Sequence, residues 1–452
     1  MSKPLRWKHI FTITLPEFAQ DIMSAPSKQI LQMIYANHLG VPLEMIALIN
    51  LISGLFDAIT DPVVGVVSDR YYRRHHTRKP FLMAGVVISL FAMWFLYNPG
   101  DNDSAYRFLI FYLIYYLGWT ILEIPYTAWK AEVTEHYQSR TRIAGADVVM
   151  ATLGISTFGL IPIVLGNGEY TLETLQITSW IVVAVLPPLV LLAIKSVPDG
   201  PPPADDGITV SLRKNAADIV DNKPYLYFLM ILALTLFTYA MSTGVMLFYA
   251  TNYLGLGKAV PLITLFGAVV GIAVAPLWTV IAGRIEKHRA WAIGIAALVT
   301  LPVVADLVLS PEFAPVPLMV AFALLQGAGF GGVNIAYKAM IGDVLDYGKL
   351  KHRSDTGGLY IALIKLTGKV MTAIAMSVGL LITSLFGFES GATNLDESAA
   401  FGLRLVYAWI PLVLGVLTIA VVLRYPITRR RHTTIVKALD RQRRSSATVL
   451  GA

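Results

Sequence analysis

Two aspartates four residues apart, Asp57 and Asp61, stand inside the run LFDAITDPVVGVVSDR (55–70), which is otherwise apolar enough to cross a membrane. An i, i+4 spacing puts both carboxylates on one helix face. An uncompensated charge at mid-bilayer costs about 3 kcal/mol or more, so both must be neutralised, by protons, by a cation or by an intramembrane lysine. Glu123 lies midway along another apolar run, in TILEIPY, where Pro125 frees backbone carbonyls for coordination. Three carboxylates with the hydroxyls of Thr60 and Thr120 make an all-oxygen cage, suited to a hard monovalent ion such as Na+. Protonated carboxyls serve equally as an H+ relay, and pairing with lysines to hold helices together is the structural alternative.

Further polar residues interrupt apolar runs. Asp21 and Lys28, seven apart and accompanied by Glu17, give the first run a face too polar for lipid; it lines a water-filled cavity or is closed by an ion pair. Lys365 and Lys369 share a face by the same i, i+4 rule. With Lys338 they give the C-terminal half a basic lining, which holds an anionic substrate or counter-charges Asp57 and Asp61. Trp119, Tyr126, Tyr249 and Tyr337 offer rings for stacking on a sugar, or for packing and an interfacial belt. Asp69 and Arg70, in the basic stretch DRYYRRHHTRK, are candidates to pair with Arg140 or Arg142 as a gate.

The elements that position these groups follow from composition. Of 452 residues, 56% are hydrophobic and 14% charged, and the mean hydropathy is +0.62, which describes a polytopic membrane protein. Twelve runs of about 20 apolar residues are expected to span the bilayer, the first near 11–36 and the last near 401–423. The first carries charges and has no small-residue cleavage site, so it is retained as a helix. The loops expected on the side of the termini, together with the termini, hold 29 of the 36 Lys and Arg residues. By the positive-inside rule both termini are cytoplasmic and the protein sits in the cytoplasmic membrane. The net charge of +7 is then a topology signal that calls for no nucleic-acid partner. There is no cysteine, hence no disulfide or thiolate metal site, and neither a Walker A nor an HExxH sequence occurs. No enzyme activity and no cofactor beyond a coupling ion are expected, and a monomer is expected.

The expected organisation is all-α, with a six-helix bundle over 1–197, a cytoplasmic loop over 198–223, a second six-helix bundle over 224–424 and a basic tail over 425–452 attracted to anionic lipid. A shift of 214 residues lays Pro62 on Pro276 and Arg70 on Arg284; a shift of 211 lays Tyr126 on Tyr337 and Arg142 on Arg353. Two nearly equal offsets in chain order indicate duplication, and hence pseudo-symmetric halves. The acids are not duplicated: Asp57 faces Gly271, Asp61 faces Ala275 and Glu123 faces Asn334. The carboxylates therefore form a site of the N-terminal half.

DAITDPVVGVVSDR, TILEIPY and GDVLDYGKLKHRSDTGG (342–358) together resemble the glycoside-pentoside-hexuronide:cation symporters, typified by the melibiose permease, within the major facilitator superfamily. The resemblance runs over nearly the whole chain. It implies twelve helices in two bundles, alternating access, and a sugar, glycoside or uronide moved with Na+ or another small cation. Carried over by position, Asp57, Asp61 and Glu123 fall on the family's cation-site acids and Thr120 on a supporting hydroxyl; Glu123 stands where the melibiose permease has aspartate. Asp21 falls on an aspartate that accepts sugar hydroxyls, and Lys369 on a lysine near the cation site. Tyr126, Asn334 and Tyr337 complete the expected substrate lining. The family's sugar-stacking tryptophan position holds Thr127 and its fifth-helix arginine position falls near Val148, beside Asp147, so galactoside specificity does not carry over. Related proteins with this fold move lysophospholipids, which is the rival reading; a membrane-embedded enzyme using the same carboxylates is a remote third.

Overall fold

In lipid every backbone N–H and C=O must be satisfied within the segment, so the apolar runs fold as helices. The computed structural model describes residues 6–28, 30–100, 104–134, 136–200, 218–352, 357–389 and 395–450. Most of the expected middle loop and residues 353–356 of the third family motif lie outside the described residues, as do the side chains of Lys28 and of the tail beyond Gln442. The described residues are nearly all helical, with an isolated bridge between Ser310 and Phe313.

The N-terminal half contains α1 (Trp7–Lys28) and α2 (Ile30–Asn37) as one interrupted rod, then α3 (Leu43–His75), α4 (Lys79–Tyr97), α5 (Ala105–Glu132), α6 (Tyr137–Val164) and α7 (Leu172–Ser196). The C-terminal half contains α8 (Lys223–Phe248), α9 (Ala259–Ala273) bent into α10 (Ala275–Arg284), α11 (Lys287–Val308), α12 (Val316–His352) and α13 (Gly357–Leu385). Its last rod is α14 (Glu397–Arg404) running through a π turn into α15 (Ile410–Val422), and the tail forms α16 (Arg429–Leu450). Ten described helices are long and apolar enough to cross a membrane, and the bent α9–α10 pair makes an eleventh. The α1–α2 rod completes the twelve-rod arrangement. Its Glu17, Gln20 and Asp21 keep it from reading as purely apolar.

The packing scheme recurs in both halves. In the first, α4 lies against α5 and α1 against α6; in the second, α11 lies against α12 and α8 against α13. The halves meet along two seams, α3 against α13 and α6 against α9. One hydrophobic core runs through the N-terminal half and across into the second half at the end remote from the chain termini. A separate core fills the termini side of the second half. Cross-half contacts at the remote end include Asn37 Nδ2 donating to Asn252 Oδ1 at 3.2 Å and Ser384 Oγ donating to Glu44 Oε2 at 2.9 Å. On the termini side, among the described residues, Arg70, Arg140, Arg142 and Arg284 make no hydrogen bond or ion pair to the other half. The cleft between the halves therefore opens toward the termini.

Candidate functional site

Asp57 and Asp61 lie on successive turns midway along α3 and face α13 across the seam. Lys369, midway along α13, places Nζ 2.7 Å from Asp57 Oδ2 and closer still to Asp61 Oδ2. Thr120 on α5 reaches Asp57 Oδ1 at 3.0 Å and Asp61 Oδ1 at 3.1 Å, its one proton serving either carboxylate. Asp57 is 6% exposed, so its charge depends on these partners. Beside the pair lies a cavity of about 270 Å³ whose lining includes Gln32, Asn50, Asp57, Tyr116 and Lys369. Within it Gln32 Nε2 donates to Asn50 Oδ1 at 2.7 Å, while Asn50 Nδ2 and the neighbouring Ser53 Oγ are buried with no partner. Polar atoms left unpaired beside a carboxylate suit a hydrated ion path.

The other expected cage members stand elsewhere. Thr60 Oγ1 donates to the Asp57 backbone carbonyl at 3.3 Å, as helical Thr commonly does, and adds nothing to the carboxylates. Glu123 is not assembled with Asp57 and Asp61. Its Oε1 accepts from Thr127 Oγ1 at 2.9 Å, and the charges acting on it are those of Glu17, Lys130 and Asp21. Among the described residues no group of three acidic or histidine side chains is placed to hold a metal ion. Glu123 stands one turn further along α5 than Thr120, where its charged neighbours are Glu17 and Asp21 of α1 and Lys130 of its own helix.

There a second charged group forms. Lys130, 8% exposed, gives Nζ to Glu17 Oε2 at 2.7 Å and to Asp147 Oδ2 at 3.1 Å, and lies 4.1 Å from the centre of the Tyr126 ring. Lys130 lies inside the bundle because α5 runs on to Glu132 and carries it there. The signal was its seven-residue spacing from Glu123, which puts both on one helix face. Asp21, one turn beyond Glu17, accepts from Ser24 Oγ at 3.5 Å and packs where α1 crosses Gly154 of α6.

Of the expected substrate aromatics, Tyr126 is fully buried and its hydroxyl donates to the Ile13 carbonyl, so it packs α5 on α1 and offers no face to a ligand. Tyr337 is turned into the second core beside Trp291, ring centres 6.2 Å apart. Asn334 does line a cavity of about 480 Å³ in the second half, together with Tyr239, Thr243, Gln326, Phe330 and Lys338. Tyr239 and Phe330 stack there, 4.0 Å apart and 9° from parallel. Lys365 is exposed on the Lys369 face, one turn nearer the termini.

The expected gate pairing of Asp69 and Arg70 with Arg140 or Arg142 does not form. Asp69 pairs with Arg78 at 2.7 Å, and Arg78 also pairs with Glu132 at 2.7 Å. Arg78 caps α4 at 4% exposure, already held between both acids, and therefore takes the carboxylate that Arg140 or Arg142 was expected to meet. Burial opposes its charge and the two carboxylates more than offset this, holding the guanidinium above its ordinary value. Arg140 instead donates to the Thr134 carbonyl at 2.9 Å, Arg142 lies over the Trp7 ring, and Arg70 is exposed. The second half repeats the corner: Lys287 pairs with Asp343 at 2.7 Å, and His432 of the tail helix approaches Asp343 at 3.3 Å and Asp346 at 3.0 Å.

The family model described as MFS/sugar transport protein matches residues 12–429. The chain is 26% identical to the glucuronide carrier protein homolog of Escherichia coli (strain K12), over 98% of each. It is 22% identical to sodium-dependent lysophosphatidylcholine symporter 1 of Xenopus tropicalis, over 88% of this chain and 83% of that one. Among solved structures it resembles a bacterial homolog of the human lysosomal transporter Spinster, with a TM-score of 0.67 at 14% identity, over 97% and 99% of the two chains.

Proposed function

Because this chain belongs to the MFS/sugar transport protein family, a family of multi-pass membrane transporters, we propose that it is a cation-coupled symporter that carries a sugar, glycoside or uronide through the cytoplasmic membrane. The observation that carries the reading is the Lys369 ammonium seated on Asp57 and Asp61 across the seam. A Na+ or H+ entering from the adjacent cavity competes with that ammonium for the same carboxylate oxygens. Loading the ion frees Lys369 and removes a bond between the halves, so cation binding alters both the substrate cleft and the ease of rocking. By linkage, substrate and cation then tighten each other by one factor. With the termini cytoplasmic, the cleft faces inward.

Glu123 belongs to this reading as a wall residue reached after Lys369 is displaced, with Asp21, Glu17 and Asp147 accepting substrate hydroxyls beside it. A relative named for glucuronide supports the sugar class; one named for lysophosphatidylcholine supports an amphiphile as the second reading, and for it sodium as the ion. The test is thermal unfolding of the purified protein with glucose, glucuronate and lysophosphatidylcholine, each in sodium and in choline chloride at two pH values. The symporter reading requires that one solute stabilises the protein and that a cation deepens the effect. Stabilisation by lysolipid alone would replace the sugar with an amphiphile, and no cation dependence for any solute would remove the coupling.

A further inference from the structure

Two neighbouring rods of the second half change from α to π at the same level, and one buried carboxylate joins the two changes. α8 ends in a π turn over Tyr249–Tyr253, where the Leu254 N–H donates to the Tyr249 carbonyl at 3.0 Å. The last rod has its π turn over Leu405–Trp409, closed by the Ile410 N–H on the Leu405 carbonyl. The rings of Tyr249 and Tyr407 stack between the two turns, centres 4.2 Å apart, so Tyr249 is buried within its own bundle and offers no face to a sugar. Asp306, near the end of α11, has a fully buried side chain. Its Oδ1 accepts from Arg404 Nε at 2.8 Å and from the Tyr249 hydroxyl at 3.3 Å, and its Oδ2 accepts from Arg404 Nη2 at 3.1 Å and from Trp409 Nε1 at 3.0 Å.

Arg404 and Trp409 are five positions apart. At about 3.6 residues per turn that spacing leaves two side chains about 140° apart, too far round for one carboxylate. A π turn closes on the fifth residue and brings both onto one side. The Asp306 carboxylate therefore selects the π register of the last rod, and through Tyr249 it is tied to the turn that ends α8. That second turn carries the closure of the remote end. Thr251 Oγ1 lies 3.9 Å from Met33 Sδ of α2 and 2.8 Å from Asn252 Oδ1, and the same Asn252 oxygen accepts from Asn37 across the seam at 3.2 Å. From this arrangement we infer that Asp306 is a positioning residue for the closed remote end: it holds both π turns in register and so keeps Thr251 and Asn252 aimed at α2. A buried ion pair gains little stability over apolar packing, and its best-attested use is to fix one arrangement against its alternatives. Here the alternative is an uninterrupted α-helix, which turns the residues of each π turn onto other faces. All four bonds lie within the second half, so the network stays intact when the halves part and presents the same edge at each closure. The inference needs only that the halves part at the remote end, whatever the cargo and the coupling ion.

The test labels the full chain, purified in detergent, with a maleimide. The chain has no cysteine, so single thiols can be placed at will. Met33→Cys, at a position 4% exposed and facing Thr251, reports the closure, and Ala336→Cys, fully buried in the separate core of the second half, reports general loosening. Asp306→Asn is expected to quicken labelling at Met33→Cys about tenfold or more, the effect of losing one charge-assisted hydrogen bond, and to leave Ala336→Cys unchanged. Trp409→Phe and Tyr249→Phe each remove one donor and keep an aromatic ring, so they read the same effect, several-fold, should Asp306→Asn fail to fold. Unchanged labelling at Met33→Cys in all three variants, or an equal rise at Ala336→Cys, overturns the inference. Asp306→Asn combined with Arg404→Gln leaves no charge unpaired, so the unfolding temperature should return toward that of the wild type while Met33→Cys still labels fast. Slow labelling in that double variant would also overturn the inference, because an uncompensated arginine, and not lost register, would then have opened the seam.

Discussion

Lys369 Nζ on α13 lies 2.7 Å from Asp57 Oδ2 on α3, so one ammonium joins the two halves of the protein midway along both helices. The pair sits at the inner edge of the closed seam, where the core common to both halves gives way to the open cleft. An ion pair in that position is both a counter-charge and a tie between halves, and anything that competes for the aspartates acts on both.

Replacing Asp57 or Asp61 by asparagine keeps an oxygen for Thr120 and removes the charge that attracts a cation. Each variant should insert and fold, since a neutral side chain is cheaper in the bilayer than a carboxylate. Concentrative uptake and its stimulation by sodium or by a pH gradient should be lost, while exchange of substrate down its own gradient persists. Uptake that is still concentrative in Asp57→Asn would mean that the aspartates serve only to seat Lys369. Lys369→Gln should likewise weaken cation dependence more than it lowers the unfolding temperature.

Arg78 is buried between Glu132 and Asp69, which differ in exposure, the Asp69 side chain being 53% accessible and that of Glu132 27%. Removing the shared cation from a buried group of charges costs about 3 kcal/mol or more, whereas an exposed ion pair is worth about 1 kcal/mol at most. Arg78→Gln should therefore lower the unfolding temperature in detergent by several degrees, and Asp69→Asn should scarcely change it. Equal shifts for the two would show that Asp69, not the Arg78–Glu132 pair, holds the α3–α4 corner.

The helical rods were readable because hydrocarbon imposes backbone pairing on any long apolar run, and Asp57, Asp61 and Lys369 stood out because charge inside such a run demands a partner. What ran past that signal was geometry set by neighbours. Hydropathy falls before α5 ends, so Lys130 reads as loop, although the helix carries it on to pair with Glu17 and Asp147. Tyr126 and Tyr337 matched between the repeats because both pack their halves, a role that an aromatic on a helix shares with ligand stacking until the crossing helix is placed. Glu123 shares its residue type with the aspartates, but one further turn of α5 sets it among Glu17, Asp21 and Lys130, a placement that only the packing of α1 on α5 decides.

The positive-inside count makes a prediction about sidedness. A tag after Ala452 and one inserted within 198–223 should both be reached by impermeant reagents only from the cytoplasmic side, in everted vesicles and not in intact cells. Labelling of either tag from outside would reverse the orientation of the cleft and the direction in which the substrate leaves it.

The last prediction concerns how the remote end closes. The α3–α13 seam closes where Gly54 meets Ala373, so tightly that a Cβ at Gly54 would lie 2.2 Å from the Ala373 Cβ; on the other seam a Cβ at Gly159 would lie 2.9 Å from the Leu265 backbone nitrogen. Contacts that short are forbidden, so a side chain at either position must part the halves there. Alternating access supplies a state in which they are already parted, and Gly54→Val should therefore leave the fold intact and shift the population toward opening at the remote end. The chain has no cysteine, so Asn37→Cys gives one reporter thiol at that end, opposite Asn252 in the closed seam. In the Gly54→Val background its labelling by an impermeant maleimide should quicken about tenfold or more, a shift of about 1.4 kcal/mol in the equilibrium. Transport should fall in parallel, because a carrier that cannot reclose its outer seam completes no cycle. Unchanged labelling with normal transport would mean that the α3–α13 contact yields locally, and that the seam is not where the two halves part.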